Sequence, residues 1–134
     1  MVRSSFERQL SEVEEDMLVM AGMVERAIER SIDALKNRDI ELARVVITED
    51  TEINAKRFET EEKCLELLAT QQPMAHDLRT IVAILHIIVD LERMGDHATN
   101  IAETVYYMIE GRPIAEQRPK GDTTTLAAAL PTDN

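Results

Sequence analysis

A line of acidic and amide side chains is the part of this sequence best suited to chemistry. Glu92, Asp96 and Asn100 follow one another at intervals of four residues, and Glu103 continues the line. At about 100° per residue, these positions share one face of a helix. The same line begins with four apolar residues: Leu78, Val82, Leu85 and Val89. One helix face therefore changes from apolar to acidic partway along its length.

A second helical region repeats this pattern. Four polar residues, Asp50, Asn54, Arg57 and Glu61, share a face with the apolar residues at its two ends. Burying a charged group costs free energy unless the charge is paired or binds a cation. Acids on such faces are therefore better candidates for a site than the many acids on solvated helix surfaces.

The spacing of the helices predicts how close these acids lie. If the two acidic helices form an antiparallel hairpin that turns near residue 72, residue i lies level with residue about 144 − i. Asp50 then lies level with Met94, among the acids of the third helix. The turn near residue 38 places Glu25 and Glu29 of the first helix at the same level. This register predicts that carboxylates from three helices share one layer.

Gathered carboxylates raise one another's pKa values unless something positive neutralises them. A divalent or trivalent metal ion satisfies that need, and helix bundles hold such ions with carboxylates on facing helices. Oxygen ligands suit Mg, Mn and oxidised Fe, and the nearby His97 leaves Zn open. Salt bridges explain the same pattern, with Asp50 paired to Arg57, or Glu92 to Arg93 of a neighbouring molecule. The residues alone leave both interpretations open.

Three long helices must position these side chains. Apolar residues recur at alternating intervals of three and four along residues 6–35, which is typical of a packed helix. Asp39 suits the N-cap of a second helix over residues 40–68. Pro73 ends that region and suits the first turn of a third helix, from about residue 73 to about residue 110. Three helices joined by short turns predict an all-α fold, an antiparallel three-helix bundle.

The third helix has an apolar seam of its own. Its predicted members are Ile84, Ile87, Leu91, Met94, Ala98, Ile101, Val105 and Met108. Periodicity stops after Gly111, where the sequence becomes rich in Thr, Pro and small residues. We therefore predict a folded domain at residues 1–111 and a mobile tail at residues 112–134, in which residues 126–130 make a short partner contact.

Composition excludes several classes of protein. The chain has 134 residues, with 15 Lys and Arg against 26 Asp and Glu, and a net charge of −11. Such a charge disfavours nucleic-acid binding, which needs Lys and Arg to displace counterions. The longest apolar stretch, residues 81–89, is far too short to span a membrane. The N-terminal region has no signal-peptide pattern, which predicts a cytoplasmic protein.

No catalytic motif accompanies the acids. The sequence has no GxSxG, no glycine-rich phosphate loop and no HExxH. Its single cysteine, Cys64, lies on an apolar helix stripe and is predicted to be part of the core. We therefore predict that the chain is not an enzyme.

Several strings carry a family resemblance. In chain order they are MVERAI at 23–28, DTEIN at 50–54, QQP at 71–73, DLR at 77–79, DLERMGDHA at 90–98 and NIAE at 100–103. Together they resemble the PhoU family of phosphate-signalling proteins over about residues 6–110. The resemblance implies a three-helix repeat whose E/D-x-x-x-D motif contributes to metal binding. Glu92 and Asp96 match that motif and are the predicted metal ligands, with Asp50 and Asn100 as additional ligands.

The resemblance also implies a function. PhoU proteins are negative regulators of phosphate uptake that contact the ATPase of a phosphate ABC transporter and a membrane sensor histidine kinase. Members usually carry two repeats in tandem, whereas this chain has length for one. A homodimer would restore the second repeat. Two alternatives remain: a metal-binding or metal-storage bundle, and a plain dimerisation module, each without a phosphate-signalling partner.

Overall fold

Three long helices make up the structure. In this computed structural model, residues 2–114 are described, with side chains from Ser5 onward. The helices are α1 (Val2–Asn37), α2 (Ile40–Gln71) and α3 (Ala75–Glu110), and each packs against the other two. The all-α prediction is therefore confirmed. The predicted mobile tail and its contact at residues 126–130 lie outside the described residues, apart from the first few positions.

Contacts between helices show that neighbours along the chain run antiparallel. Asp16 of α1 contacts Lys63 of α2, near the far end of the hairpin from the first turn, whereas Arg30 contacts Glu49, closer to it. The α2–α3 contacts follow the same rule, since Arg57 lies near Glu92. The chain therefore runs up, down and up, and short turns suffice to connect it.

Local sequence sets where each helix begins and ends. Asp39 caps α2, and its carboxylate accepts a hydrogen bond from the backbone N–H of Leu42 at 3.0 Å. Gly111 ends α3 in the left-handed region at φ 77°. The sequence placed Pro73 inside α3, but the helix begins at Ala75 because Met74 adopts the extended N-cap conformation. Pro73 thus belongs to the linker.

The core follows the predicted stripe of α1. Phe6, Val13, Met20, Val24 and Ala34 are all buried, as the spacing of three and four predicts. They pack against apolar residues of α2 and α3 in two clusters, one toward each end of the bundle. Cys64 is fully buried, as predicted from its position on an apolar stripe.

Only three of the eight predicted seam residues of α3 are buried. Ile84, Ala98 and Val105 are buried as expected. The remaining seam residues are half-buried or exposed, and the buried line instead includes Ile81, Ile88, Gly95 and Ala102. The helix is apolar on two sides, so periodicity alone favours a line rotated away from the true core. The apolar residues left outside form an exposed stripe, which is described below.

Within residues 2–114, no helix is both long enough and apolar enough to span a membrane.

Candidate functional site

Buried polar side chains lie between α2 and α3. Asp50 and Asn54 of α2 are at most 5% exposed, and Glu92, Thr99 and Glu103 of α3 are at most 9% exposed. A helix bundle of this size gains nothing from burying such groups unless they are paired or bind something. These residues therefore define the candidate site, which we call the buried polar layer.

The register of α2 against α3 differs from the prediction. The carboxylate Oδ1 of Asp50 lies 3.1 Å from the hydroxyl of Thr99, five residues farther along α3 than Met94. This offset is about 7.5 Å along the helix axis. A three-residue linker, with Gln72 in the left-handed region and Met74 extended, separates the two helices. The prediction assumed a tighter hairpin and was wrong on this point.

The expected contribution from α1 is also absent. Glu25 and Glu29 are exposed rather than turned into the bundle. At this level α1 presents apolar Val24, which packs close to Gly95 of α3. The layer therefore draws its acids from α2 and α3 alone, and a layer of carboxylates from three helices does not form.

Asp50 is the most enclosed acid of the site, at 1% exposed. Its Oδ1 accepts from Thr99, whose hydroxyl also lies 3.0 Å from the carbonyl oxygen of Gly95. Its Oδ2 lies 3.5 Å from the amide nitrogen of Asn54. Donors from two helices thus hold the carboxylate in place. Among the described residues, the buried Oδ1 of Asn54 accepts no hydrogen bond, so this oxygen can serve as a ligand.

Arg57 organises the neighbouring part of the layer. Its Nη1 forms a salt bridge with Glu61 at 3.0 Å, and its Nε lies 3.8 Å from a carboxylate oxygen of Glu92. The guanidinium also stacks on the ring of Phe58, 4.8 Å from its centroid. The predicted salt-bridge alternative paired Arg57 with Asp50, whereas the structure places Arg57 beside Glu92.

The four predicted metal ligands are spread along the site instead of meeting at one level. Glu92 is buried beside Arg57, and Asp50 is buried beside Thr99, seven residues or about 10 Å farther along α3. Asp96 and Asn100 lie between and beyond these levels and are half-buried. Among residues 2–114, no three or more Asp, Glu, His or Cys side chains are grouped closely enough to hold a metal ion.

Thr99 is the one member of the layer that the sequence reasoning did not identify. A threonine inside a helix ordinarily returns its hydroxyl to the carbonyl four residues earlier, as Thr99 does toward Gly95. The available signal was its place between Gly95 and Ala102, on the side of α3 that proved to be buried. Thr99 could be recognised in this way only if the buried side of α3 had been predicted correctly.

On the helix faces that change from apolar to acidic, the apolar side chains are more exposed than the acidic ones. Leu78 and Val82 of α3 are about 40% exposed, while Phe58 and Leu65 of α2 are more than half exposed. These four residues form what we call the α2–α3 patch. Exposed apolar side chains next to a charged layer are typical of a surface that binds another protein.

Known proteins are similar to this chain in sequence. The family model described as the PhoU domain matches residues 17–105. A protein of Aquifex aeolicus named phosphate-specific transport system accessory protein PhoU homolog is 40% identical over 107 residues, covering 80% of this chain and 48% of that protein. The protein of the same name from Clostridium acetobutylicum is 41% identical over 106 residues, covering 78% and 48%.

A solved structure gives the same result. The crystal structure of PhoU from Pseudomonas aeruginosa is similar with a TM-score of 0.76 and 36% sequence identity, covering 80% of this chain and 52% of that one. The present chain thus spans about half the length of the relatives that it matches.

Proposed function

The chain belongs to the PhoU family, and from that membership we propose that it regulates phosphate transport and phosphate signalling by contacting other proteins. The observation that carries the proposal is the family match over residues 17–105, together with relatives named as accessory proteins of a phosphate-specific transport system. In this proposal the chain restrains phosphate uptake when phosphate is plentiful. Its partners are the ATPase of a phosphate ABC transporter and a sensor histidine kinase, which require a cytoplasmic location.

The surface supports action through contacts rather than catalysis. The net charge of −11 gives the protein a field that attracts basic protein surfaces and speeds their approach. The α2–α3 patch supplies apolar side chains next to the charged residues Arg57 and Glu61. A protein interface needs both an apolar centre and a polar rim, and this face provides the two together.

Expression in a bacterium that lacks its own PhoU protein tests the regulatory role. We expect the chain to lower phosphate uptake and to repress a phosphate-starvation reporter in phosphate-rich medium. Phe58→Glu with Leu65→Glu should abolish this effect, because the change places two charges on the α2–α3 patch. Val19→Glu, at an exposed apolar residue of α1, is the control and should keep the effect. Unchanged uptake and reporter activity with the unaltered chain would contradict the proposal.

We also propose a metal site at Glu92 and Asp96, while Asp50 and Asn100 supply ligands at the level of Thr99, about 10 Å farther along α3 than Glu92. Carboxylate and amide oxygens suit Mg, Mn and Fe, while Zn also accepts carboxylate ligands. The buried Oδ1 of Asn54, which accepts no hydrogen bond from the residues that the structure describes, adds a ligand of the same kind beside Asp50. A cation there would neutralise the repulsion between carboxylates. Residues 2–114 supply too few grouped acids to complete a coordination sphere, so other ligands such as water must provide the rest.

Elemental analysis and titration with Mn, Fe, Zn and Mg test this site. Glu92→Gln with Asp96→Asn should remove bound metal while leaving the helical circular dichroism signal unchanged. The matched control is Glu62→Gln with Glu66→Gln, an exposed pair of acids with the same spacing on α2. Equal loss in both variants would show general attraction of cations to an acidic protein. Metal that survives the first variant would place the ligands elsewhere.

A homodimer is the third part of the proposal. The chain spans about half of its relatives, and a second copy would restore their full extent. Light scattering should then give about twice 15.2 kDa. Two alternatives predict different outcomes. A storage bundle would bind metal without affecting phosphate uptake, and a plain dimerisation module would form the dimer with neither property.

A further inference from the structure

The exposed stripe of α3 is an apolar surface separate from the buried polar layer. It contains Ile87, Met94, Ile101 and Met108, which recur every seven residues. Each is between 38% and 45% exposed. A spacing of seven keeps side chains on nearly the same side of a helix, which is the pattern by which one helix packs along another. All four side chains therefore point toward the same potential neighbour.

A groove extends this stripe toward α1. It has a volume of about 400 Å³ and runs between Leu35 of α1 and the C-terminal half of α3. Ile101 and Met108 line it from α3, together with His97 and Thr104. Leu35 is itself 45% exposed. The surface is thus a shallow apolar channel into which a helix from another molecule can lay its side chains.

The charge of the stripe identifies its occupant. The positions that alternate with the four apolar residues are Asp90, His97 and Thr104, so the whole line carries one acid. The rest of the chain is strongly acidic, with a net charge of −11. Two copies of such a chain repel each other across most of their surfaces. Along the stripe, two copies can meet with little electrostatic repulsion. A basic partner would find little negative charge there to attract it.

The order of residues along the stripe also sets the direction of pairing. A parallel pair of α3 helices would place Asp90 opposite the Asp90 of the second copy. An antiparallel pair places Asp90 near Thr104 instead, and it pairs Ile87 with Met108 and Met94 with Ile101. All four apolar residues are then matched around a centre at His97. Like charges opposed in a desolvated contact are costly, which favours the antiparallel pair.

We infer that the α3 stripe is the surface on which a second copy of this chain binds, with the two α3 helices antiparallel about a twofold axis near His97. This inference rests on the proposed homodimer and specifies its interface. The two buried polar layers and both α2–α3 patches remain outside the interface. Each copy therefore keeps those surfaces available for a partner, whereas Asn100, a proposed metal ligand, lines the groove and lies at the edge of the interface.

Engineered cysteines test the direction of pairing. The native Cys64 is fully buried and its thiol pKa is raised to about 11, so it does not compete in mild oxidation near neutral pH. His97→Cys should form a disulfide-linked dimer by itself. Thr104→Cys should do so only when mixed with Asp90→Cys. Efficient cross-linking of Thr104→Cys with itself would establish the parallel pair and overturn this geometry.

The α2–α3 patch provides a control for the location of the interface. Leu65→Cys, on the α2–α3 patch, is 52% exposed before substitution and should not cross-link. A disulfide dimer at Leu65→Cys, together with none at His97→Cys, would move the interface to that patch. Such a result would preserve the homodimer and overturn the present inference.

Light scattering with charge substitutions gives an independent test. Met94→Lys with Ile101→Lys should reduce the mass from twice 15.2 kDa to a single chain, whereas Leu65→Lys should not. Both stripe residues are already about 40% exposed, so circular dichroism should show unchanged helix content. Ile101→Ala is a milder variant and should raise the dimer dissociation constant at least tenfold. An unaltered chain that stays monomeric would overturn both homodimer and interface, while the phosphate assays would be unaffected.

Discussion

Asp16 is a half-buried acid that two lysines of α2 hold in place. Its carboxylate accepts hydrogen bonds from Lys63 at 2.7 Å and from Lys56 at 3.0 Å. Burial raises the pKa of Asp16, but the hydrogen bonds and charges of Lys63 and Lys56 outweigh that effect and hold the pKa below its ordinary value of 3.8. The same contact raises the pKa of Lys63. This cluster fixes the register of α1 against α2.

Removing the charge of Asp16 should destabilise the protein. Asp16→Asn is expected to lower the free energy of unfolding at pH 7 by about 1–2 kcal/mol, because it replaces charged hydrogen bonds at a partly solvated site. A group whose folded pKa is depressed stabilises the fold above its unfolded pKa and loses that effect as pH falls through the folded value. The two proteins should therefore converge in stability as pH falls below 3.8 and passes through the lowered pKa of folded Asp16.

Urea titrations at pH 7 and at low pH measure this difference. Asp33→Asn is the matched control, since Asp33 is an exposed acid of the same helix. We expect that variant to change stability by less than about 0.5 kcal/mol. If the free energies of unfolding of Asp16→Asn and the unaltered chain differed by the same amount at every pH, the proposed dependence on the ionisation of Asp16 would be contradicted.

The raised pKa of the buried Cys64 thiol leads us to expect a loss of stability at high pH. Desolvation by burial, with a smaller effect from Glu61, raises the pKa of its thiol from 9.0 to about 11. The unfolded chain therefore releases the thiol proton at a lower pH than the folded protein. Stability should fall as pH rises from about 9 to about 11. Cys64→Ala should show a shallower fall over that range, and identical slopes in parallel urea titrations would contradict the assignment.

Helix packing depends on a glycine in the middle of α3. A Cβ placed on Gly95 would lie 3.3 Å from Cδ1 of Ile53, which is closer than ordinary packing permits without movement. A Cβ on Gly22 would meet only the flexible guanidinium of Arg26, at 3.6 Å. Both glycines lie inside helices, where alanine is intrinsically favoured by about 1 kcal/mol. Comparing alanine substitutions at the two sites therefore distinguishes the effect of helix propensity on stability from the effect of helix packing.

Substitutions at these glycines should have unequal effects. Gly22→Ala should raise the free energy of unfolding by about 0.5–1 kcal/mol. Gly95→Ala should gain less or lose stability, because Ile53 must shift by a few tenths of an ångström. Gly95→Leu should cost about 3 kcal/mol, since its side chain forces α2 and α3 apart. Urea denaturation of the four proteins tests the order, and an equal gain at both alanine variants would show that α2 and α3 pack less closely.

Sequence reasoning succeeded for elements and turns, because those depend on local chemistry. Asp39 caps α2 and Gly111 ends α3, as their residue types predict. It failed for the rotation of α3, whose apolar residues cover two sides, so that periodicity favoured a line containing Met94 and Ile101. Burial of the true line depends on close approach at Gly95, which a count of apolar positions ignores. The choice between two apolar sides is a property of tertiary packing.

Sequence reasoning identified four of the five residues of the buried polar layer, but not their arrangement. The sequence identified Asp50 and Glu92 because acids on apolar faces are unusual, and both are buried. It placed them at one level, whereas the linker of three residues separates them by about two turns. Which residues of two helices lie side by side depends on the conformation of the linker between them. Gln72 of this linker takes a left-handed conformation that its residue type does not demand. The register therefore could not be read from spacing.

Whole-molecule stability should depend on protein concentration if two copies unfold together. The exposed stripe and groove of α3 leave apolar side chains in water in a single chain, and a second copy would bury them. For a dimer that unfolds to separate chains, mass action raises the melting temperature as concentration increases. Each tenfold increase contributes up to about 1.4 kcal/mol per dimer.

Thermal unfolding from about 2 to 200 µM tests this coupling. The unaltered chain and Leu65→Lys should melt at temperatures that rise steadily with concentration. Met94→Lys with Ile101→Lys should melt at one lower temperature throughout, because its folded state is a single chain. A concentration-independent melt of the unaltered protein would mean that the three helices are fully stable alone. The stripe would then be exposed in the resting protein, and its partner would have to be a different molecule.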